Sequence, residues 1–335
     1  MQRDVEGLNE QAVEHKLKPA IIPFAGRIGG NQDYVVDRSN PCNAELLAKV
    51  PDAAPLRTFR DGFDFRGFLD SGVWKYALVE CIGTMMNTFV TAWIGAHPPS
   101  APIVPHTQAG IYGTTGFLAP LIGGITNWLF LTLFIFTFSP ASGGHLNPTI
   151  TLGTFFARLI SFPRLILYLI GQTAGGALAG LILEAAYGSR DFLVGGCFVD
   201  TQFVPVKDAF LLEFVYCLCL VFLAFGVALD PRQAGVFGPA LSPWLVGLVL
   251  GLLSWGSSFT RAGYEGAGNG NSSTGIVGIL TFIEALNPAR CFGVYVGSRF
   301  PGYHWIHWVG SILAAIGHGV VYHIVPPWTT KAPHI

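Results

Sequence analysis

Six stretches of the chain stay apolar for about 20 residues, the length that crosses a bilayer as a helix. They are Tyr76–Gly95, Gly116–Phe138, Leu165–Tyr187, Ala209–Leu229, Leu241–Phe259 and His304–Val325. Two of the connections between them are too apolar for simple loops. Ser142-Gly143-Gly144-His145-Leu146-Asn147-Pro148-Thr149 joins spans two and three, and Ala285-Leu286-Asn287-Pro288-Ala289-Arg290-Cys291 joins spans five and six. Each carries Leu-Asn-Pro followed by about ten helix-compatible residues. That is too short to cross, but it suits a half-helix that enters and stops midway.

A lone glutamate sits early in span one (Glu80) and early in span four (Glu213). Glu80 precedes Asn147 by 67 residues and Glu213 precedes Asn287 by 74. The chain therefore reads as two units of three spans plus one half-helix. Three is odd, so the second unit is inverted, and inverted repeats with broken helices place a site near the bilayer midplane. The predicted fold is an all-α membrane protein with six transmembrane helices and two re-entrant half-helices. Residues 1–74 read as a polar, largely flexible tail in which pieces such as Phe59–Phe68 could dock. Residues 75–326 read as the membrane domain (repeats 75–188 and 208–326), and residues 327–335 as a short tail.

Chemistry at the midplane follows from the motif. Proline fits the first helical turn, and asparagine before it is a favoured N-cap. Two such N-termini meeting from opposite leaflets each present about half a positive charge. Their carboxamides turn donors toward a permeating water and orient it, while a cation meets two positive helix ends. This is the established device of water channels and is not particular to this chain.

Composition narrows the class. The chain is 51% hydrophobic and only 12% charged, and residues 1–75 hold 21 of its 39 Asp, Glu, Lys and Arg. A body so poor in charge cannot clothe a soluble globule of this size. Nor does it offer the basic face that nucleic-acid binding needs. No early apolar run is long enough for a cleaved signal. Arg57, Arg60, Arg66, Lys75, Arg158, Arg164, Arg232 and Lys331 fall on one side, against Arg190, Lys207, Arg261 and Arg299 on the other. This bias favours both termini in the cytosol. The acceptor motif at Asn271 then lies outside. Cys197 and Cys291 are also expected outside, where a disulfide and two free thiols are both open readings. Cys81, Cys217 and Cys219 lie in spans as packing residues, and Cys42 in the tail.

The paired motifs, Glu80, Glu213, Gln172-x-x-Gly175 and the Trp305–Gly310 stretch resemble the major intrinsic proteins, the aquaporins and aquaglyceroporins. Asn-Pro-Ala-Arg-Cys at 287–291, Asn-Pro-Thr at 147–149 and Gly195-Gly196-Cys197 are similar to the X intrinsic proteins of fungi and plants. The resemblance implies a passive channel for water and small neutral solutes such as glycerol, urea, hydrogen peroxide and boric acid. It also implies a homotetramer among membrane lipids, expected in the plasma membrane, without cofactor or metal. A filter near the outer mouth is implied at Asn127, Ser254, Glu284 and Arg290. Asn and Ser are smaller than the aromatic and histidine of orthodox water channels, which suggests a wide, polar filter. Glu284 stands where the family has a small residue and would pair with Arg290 or turn away.

Bland readings stand beside these. Asn127 and Ser254 also suit helix–helix hydrogen bonds. Arg290 also suits an interfacial snorkelling residue. Glu80 and Glu213 are either proton-relay acids or acceptors for the re-entrant loop of their own half, the latter being the reading adopted. His145 either gates by protonation or packs beneath the pore. Thr149 adds a hydroxyl near the midpoint. A coupled transporter, or a structural channel sealed by the N-terminal tail or the outer loop at 261–278, remain alternatives. No Ser-His pair, His-Glu-x-x-His or paired Asp motif lies in the spans, so an enzyme is not expected.

Overall fold

The computed structural model describes residues 23–29, 35–55, 57–97, 115–199, 201, 204–231, 234–257 and 285–324. Six of its helices are long and apolar enough to cross a membrane. From residue 71 onward, in chain order, the elements are α1 (Ser71–Gly95), β1 (Ala96–His97), α2 (Thr115–Ser142), α3 (Pro148–Phe156), α4 (Phe162–Tyr187) and β2 (Leu193–Val194). They are followed by α5 (Val206–Ala224), α6 (Ala234–Ser257), α7 (Pro288–Gly297) and α8 (Trp305–Ile324). The half-helices are α3 and α7.

Helix ends have local causes. α1 starts five residues before the predicted span because Asp70 caps it, accepting from the Gly72 N–H at 2.8 Å. A hydropathy window discounts Asp70 and Lys75, whereas a helix begins wherever its first N–H groups find an acceptor. α4 opens with Pro163 behind Ser161 and closes on Gly188 in the left-handed region, the usual proline-first, glycine-last asymmetry. A turn of π-helix at Phe225–Leu229 carries α5 further. α6 is kinked at Gly238 (φ 66°), just before Pro239.

Packing follows the repeat. α1 lies against α4 as α5 lies against α8, α7 packs on α4 as α3 packs on α8, and α2 packs on α6 across the middle. Each pair maps onto its counterpart when the two halves are exchanged. Cβ atoms on Gly176 or Gly293 would run into the facing backbone of Ala289 or Gly176. Two small residues therefore let α7 lie directly on α4, as membrane packing favours. Large apolar side chains such as Leu133, Ile170, Leu211 and Leu252 point outward. That is expected of a surface solvated by lipid, where no hydrophobic force draws them in.

Part of the N-terminal region, read as a largely flexible tail in which pieces such as Phe59–Phe68 could dock, lies against the bundle among the described residues. Asp52 and the Phe63–Phe68 stretch pack beneath the end of the bundle where α4 begins, and Val36 and Arg38 bond back onto residues 51–55. Phe63, Phe65 and Phe68 gather around Phe162, with ring centroids at 5.2, 5.8 and 6.4 Å. Asp52 is the clamp. It pairs with Arg57 at 2.6 Å and Arg164 at 2.5 Å, and accepts from the Ser161 N–H at 3.0 Å. Composition hid this, because a few buried polar groups do the docking.

Burial disfavours the Asp52 carboxylate, but Arg57 and Arg164 outweigh burial and hold its pKa below the usual range. Since the folded value is lowered, the clamp contributes fully above the unfolded carboxylate value of about 3.9, and the contribution is lost as pH falls below it. Asp52→Ala leaves two buried guanidinium groups without their carboxylate, a change that costs about 3–5 kcal/mol. Trypsin should then cut residues 35–70 of the variant far faster than the wild type, and equal cutting rates would show that the clamp holds nothing.

Candidate functional site

The two Leu-Asn-Pro turns meet at the centre of the bundle. Leu146 (φ 52°) and Leu286 (φ 49°) both adopt the left-handed region. For a bulky residue this strain costs on the order of 1–3 kcal/mol, and it persists only when surroundings impose it. Here it aims each leucine carbonyl at the opposite motif. Asn147 Nδ2 donates to Leu286 O at 2.8 Å, and Asn287 Nδ2 donates to Leu146 O at 3.0 Å. Each Oδ1 caps its own half-helix, Asn147 accepting from Thr149 N, and Asn287 from Ala289 N and Arg290 N. A carboxamide NH2 has two donors. The crosswise bond uses one and leaves one on each asparagine.

Glu80 and Glu213 hold the two turns from behind. Glu80 accepts from the His145 and Leu146 N–H groups at 3.1 and 2.6 Å, and Glu213 from those of Ala285 and Leu286 at 3.1 and 3.2 Å. Ser142 and Gln172 also donate to Glu80. His307 Nδ1 lies 3.2 Å from Glu213, and its Nε2 meets the Tyr295 hydroxyl at 2.8 Å. Both carboxylates are buried and neither borders the central cavity.

That cavity has a volume of about 40 Å³, room for about three water molecules. Asn147 and Asn287 border it together with His145, Asn127, Ser254 and Arg290. Its remaining wall is mostly aliphatic, with Leu131, Ile135, Ile150, Leu220, Val246 and Leu250. Arg290 Nη1 donates to Gly195 O at 3.1 Å, while its buried Nη2 meets no acceptor among the described residues. Gly195 is held close because Cys197 and Cys291 form a disulfide across 94 residues. The Tyr295 hydroxyl also donates to Cys197 O. His145 Nε2 lies 2.7 Å from Gly26 O, so that nitrogen carries the proton and Nδ1 faces Thr151 Oγ1 at 3.1 Å.

The remaining motif residues sit behind the wall. Pro148, Pro288 and Ala289 begin the half-helices without bordering the cavity. Thr149, expected near the midpoint of the passage, is fully buried, and its hydroxyl bonds to Leu286 O and Ser311 Oγ at 3.1 and 2.8 Å. It neither narrows nor wets the cavity, because a nearby carbonyl and hydroxyl satisfy it. Glu284 and Asn271 lie outside the described residues.

Sequence reasoning missed Asn87, Thr91 and Ile28, all of which line the cavity. Asn87 Oδ1 is buried without a partner among the described residues. A readable signal existed for two of them. Thr84, Asn87, Thr88 and Thr91 form a polar stripe at helical spacing along α1, the mark of a face turned from lipid. For Ile28 no signal existed, since one isoleucine in a polar tail is unremarked by any periodicity.

A six-span bundle with two half-helices meeting at a narrow cavity defines a polytopic membrane protein of the channel class. Residues 69–267 match the major intrinsic protein family. Probable aquaporin TIP3-2 of Oryza sativa subsp. japonica is 31% identical over 221 residues, covering 64% of this chain and 71% of that protein. Aquaporin TIP1-2 of Zea mays is 28% identical over 262 residues, covering 78% and 88%. The X-ray structure of the aquaglyceroporin from Plasmodium falciparum superimposes with a TM-score of 0.50 at 17% identity, covering 76% of this chain and 97% of that one, a likeness of fold. The chain belongs to the major intrinsic protein family. It is an integral membrane channel of the aquaporin kind and not an enzyme.

Proposed function

We propose that the chain is a passive pore for water and small neutral solutes, glycerol foremost, with urea, hydrogen peroxide and boric acid in the same class. The observation that carries this is the reciprocal bonding of Asn147 and Asn287 beside the narrow cavity they border. Each asparagine keeps one donor for a permeating hydroxyl, and the aliphatic wall opposite offers nothing to compete. A cation at this level faces two helix N-termini and the guanidinium of Arg290, with no carboxylate at the cavity wall among the described residues. The filter consists of Asn127, Ser254 and Arg290, joined by Asn87. A solute hydroxyl accepts from Arg290 Nη2 and donates to the Asn87 carboxamide.

The Asn-Pro-Ala-Arg-Cys sequence and the Gly195–Cys197 loop support membership of the X intrinsic subfamily. Assembly as a homotetramer, cytoplasmic termini and residence in the plasma membrane belong to the same proposal. Stopped-flow light scattering on proteoliposomes tests it. Water and glycerol flux should rise linearly with gradient, without saturation and without dependence on an ion gradient. Saturable, ion-coupled flux would make the protein a carrier.

The disulfide gives a separate prediction. Cys197→Ser combined with Cys291→Ser frees the loop that supplies Gly195 O to Arg290. The glycerol-to-water permeability ratio should change by about threefold or more, and stability should drop by on the order of 2–4 kcal/mol. An unchanged ratio would show that Arg290 keeps its place without the bridge.

A further inference from the structure

We propose that residues 24–29 are an autoinhibitory plug, with Ile28 as its stopper in the mouth of the pore on the side where α2 ends. The proposal rests on the channel reading above and concerns the regulation of that same cavity. Phe24, Ala25, Arg27 and Ile28 are 4%, 0%, 3% and 1% exposed, far from what a polar tail predicts. Ile28 is itself part of the wall of the cavity that Asn147, Asn287 and Arg290 border. It packs with Ile135, Ile150 and Leu220, so an apolar side chain stands in the path below the asparagines.

The channel is shaped to receive this segment. Arg27 Nη1 donates to Ser139 O and Pro140 O at 2.9 and 2.7 Å. These carbonyls belong to the last turn of α2, which lacks intrahelical donors and favours a cation. Ser139 Oγ donates to Ile28 O at 2.5 Å, and Ile28 N donates to Gly143 O at 3.0 Å. His145, at the cavity wall, donates to Gly26 O. Gly29 turns the chain at φ +74°, where an added Cβ would lie 2.8 Å from Pro243. The hooks thus come from α2, from the first re-entrant loop and from α6, all elements of the pore.

The plug is also tethered. Ala25 N donates to Asp52 O at 2.7 Å, and Asp52 is clamped to Arg57 and Arg164. Hydrogen bonds of Arg27, Ser139, His145 and the Ile28 N–H hold the mouth end of the segment, whereas its other end lies on the tether, with the Phe24 ring 4.3 Å from the Arg164 guanidinium beside the buried ion pairs. The segment can therefore leave the mouth while its anchor stays in place.

Water permeability of full-length proteoliposomes, normalised to incorporated protein, tests this with Ile28→Gly and with a deletion of residues 2–34. Ile28→Gly removes the stopper and keeps every main-chain hook. The deletion removes the plug and keeps the Asp52 clamp. Flux scales with the open fraction, so a wild type closed about 90% of the time gains about tenfold in either variant. Arg27→Ala should gain less, because the remaining hooks persist. Equal or lower flux in both main variants, with wild-type melting behaviour, overturns the plug and leaves the channel standing. Absence of flux in the wild type and in every variant overturns the plug and the channel reading together.

Discussion

Replacing Glu80 with leucine should remove most of the folded protein. Its two oxygens are fully buried and receive His145 N, Leu146 N, Ser142 Oγ and Gln172 Nε2. Leucine fills the space and accepts from none of them. Each buried donor left unpaired costs about 1–3 kcal/mol. Four of them approach the 5–15 kcal/mol that typically separates a native domain from its unfolded chain. No water is at hand to relieve them in the bilayer interior. The left-handed Leu146 makes the loss worse, since Glu80 on its N–H and Asn287 on its carbonyl together sustain that strain.

Glu80→Gln separates this role from proton relay. The amide keeps one acceptor oxygen and turns an NH2 group toward the loop, so two donors face each other. It should fold with a melting temperature several degrees lower, the shift that about 1–2 kcal/mol produces in a domain of this size. A relay acid would behave in the opposite way. Leucine or glutamine there would leave the melting curve alone and abolish proton-coupled flux. Detergent-extracted protein followed by size-exclusion chromatography and thermal melting distinguishes the two. Wild-type yield and melting for Glu80→Leu would sink the structural role. Glu213 gives the same test in the second half, where Ala285 N and Leu286 N are the donors left stranded.

What could be read from sequence was what lipid and helix geometry impose on every such chain. Apolar length located the spans. Leu-Asn-Pro marked the half-helices, because proline and an N-cap must sit where a helix begins. Partner choice was not legible. Thr149 looked like a group near the passage until Leu286 O and Ser311 came within bonding distance behind it. Asn87 faces the cavity because of how α1 is rotated, and hydropathy is blind to rotation unless polar positions are phased along the helix. The docked N-terminal segment was hidden for another reason. Its hooks end on main-chain carbonyls, Ser139 O, Pro140 O and Gly143 O on the channel and Gly26 O and Ile28 O on the segment, and main-chain groups are common to every sequence.

Asn127→Phe should cut glycerol permeability by about tenfold or more relative to water, a barrier increase of about 1.4 kcal/mol or more. Asn127 is 8% exposed and borders the cavity with Ser254 and Arg290. The whole cavity that it borders has a volume of only about 40 Å³, so a benzyl ring in place of a carboxamide takes a large share of it. Water passes a gap that a three-carbon polyol cannot. The ring also deletes a polar partner that a glycerol hydroxyl needs once stripped of its own water, a loss worth about 0.5–1.5 kcal/mol. Asn127→Ala isolates the second effect, since it widens the site and removes the polar group, and it should lower the ratio only about two- to threefold. Taking the ratio of the two permeabilities in the same vesicles cancels the open fraction, so a plugged population does not disguise the result. If Asn127→Phe folds and its ratio does not move, the side chain at 127 lies outside the narrowest point. The filter would then consist of Asn87, Arg290 and the loop pinned by Cys197. In that case the double cysteine variant should change the ratio more than any substitution on α2.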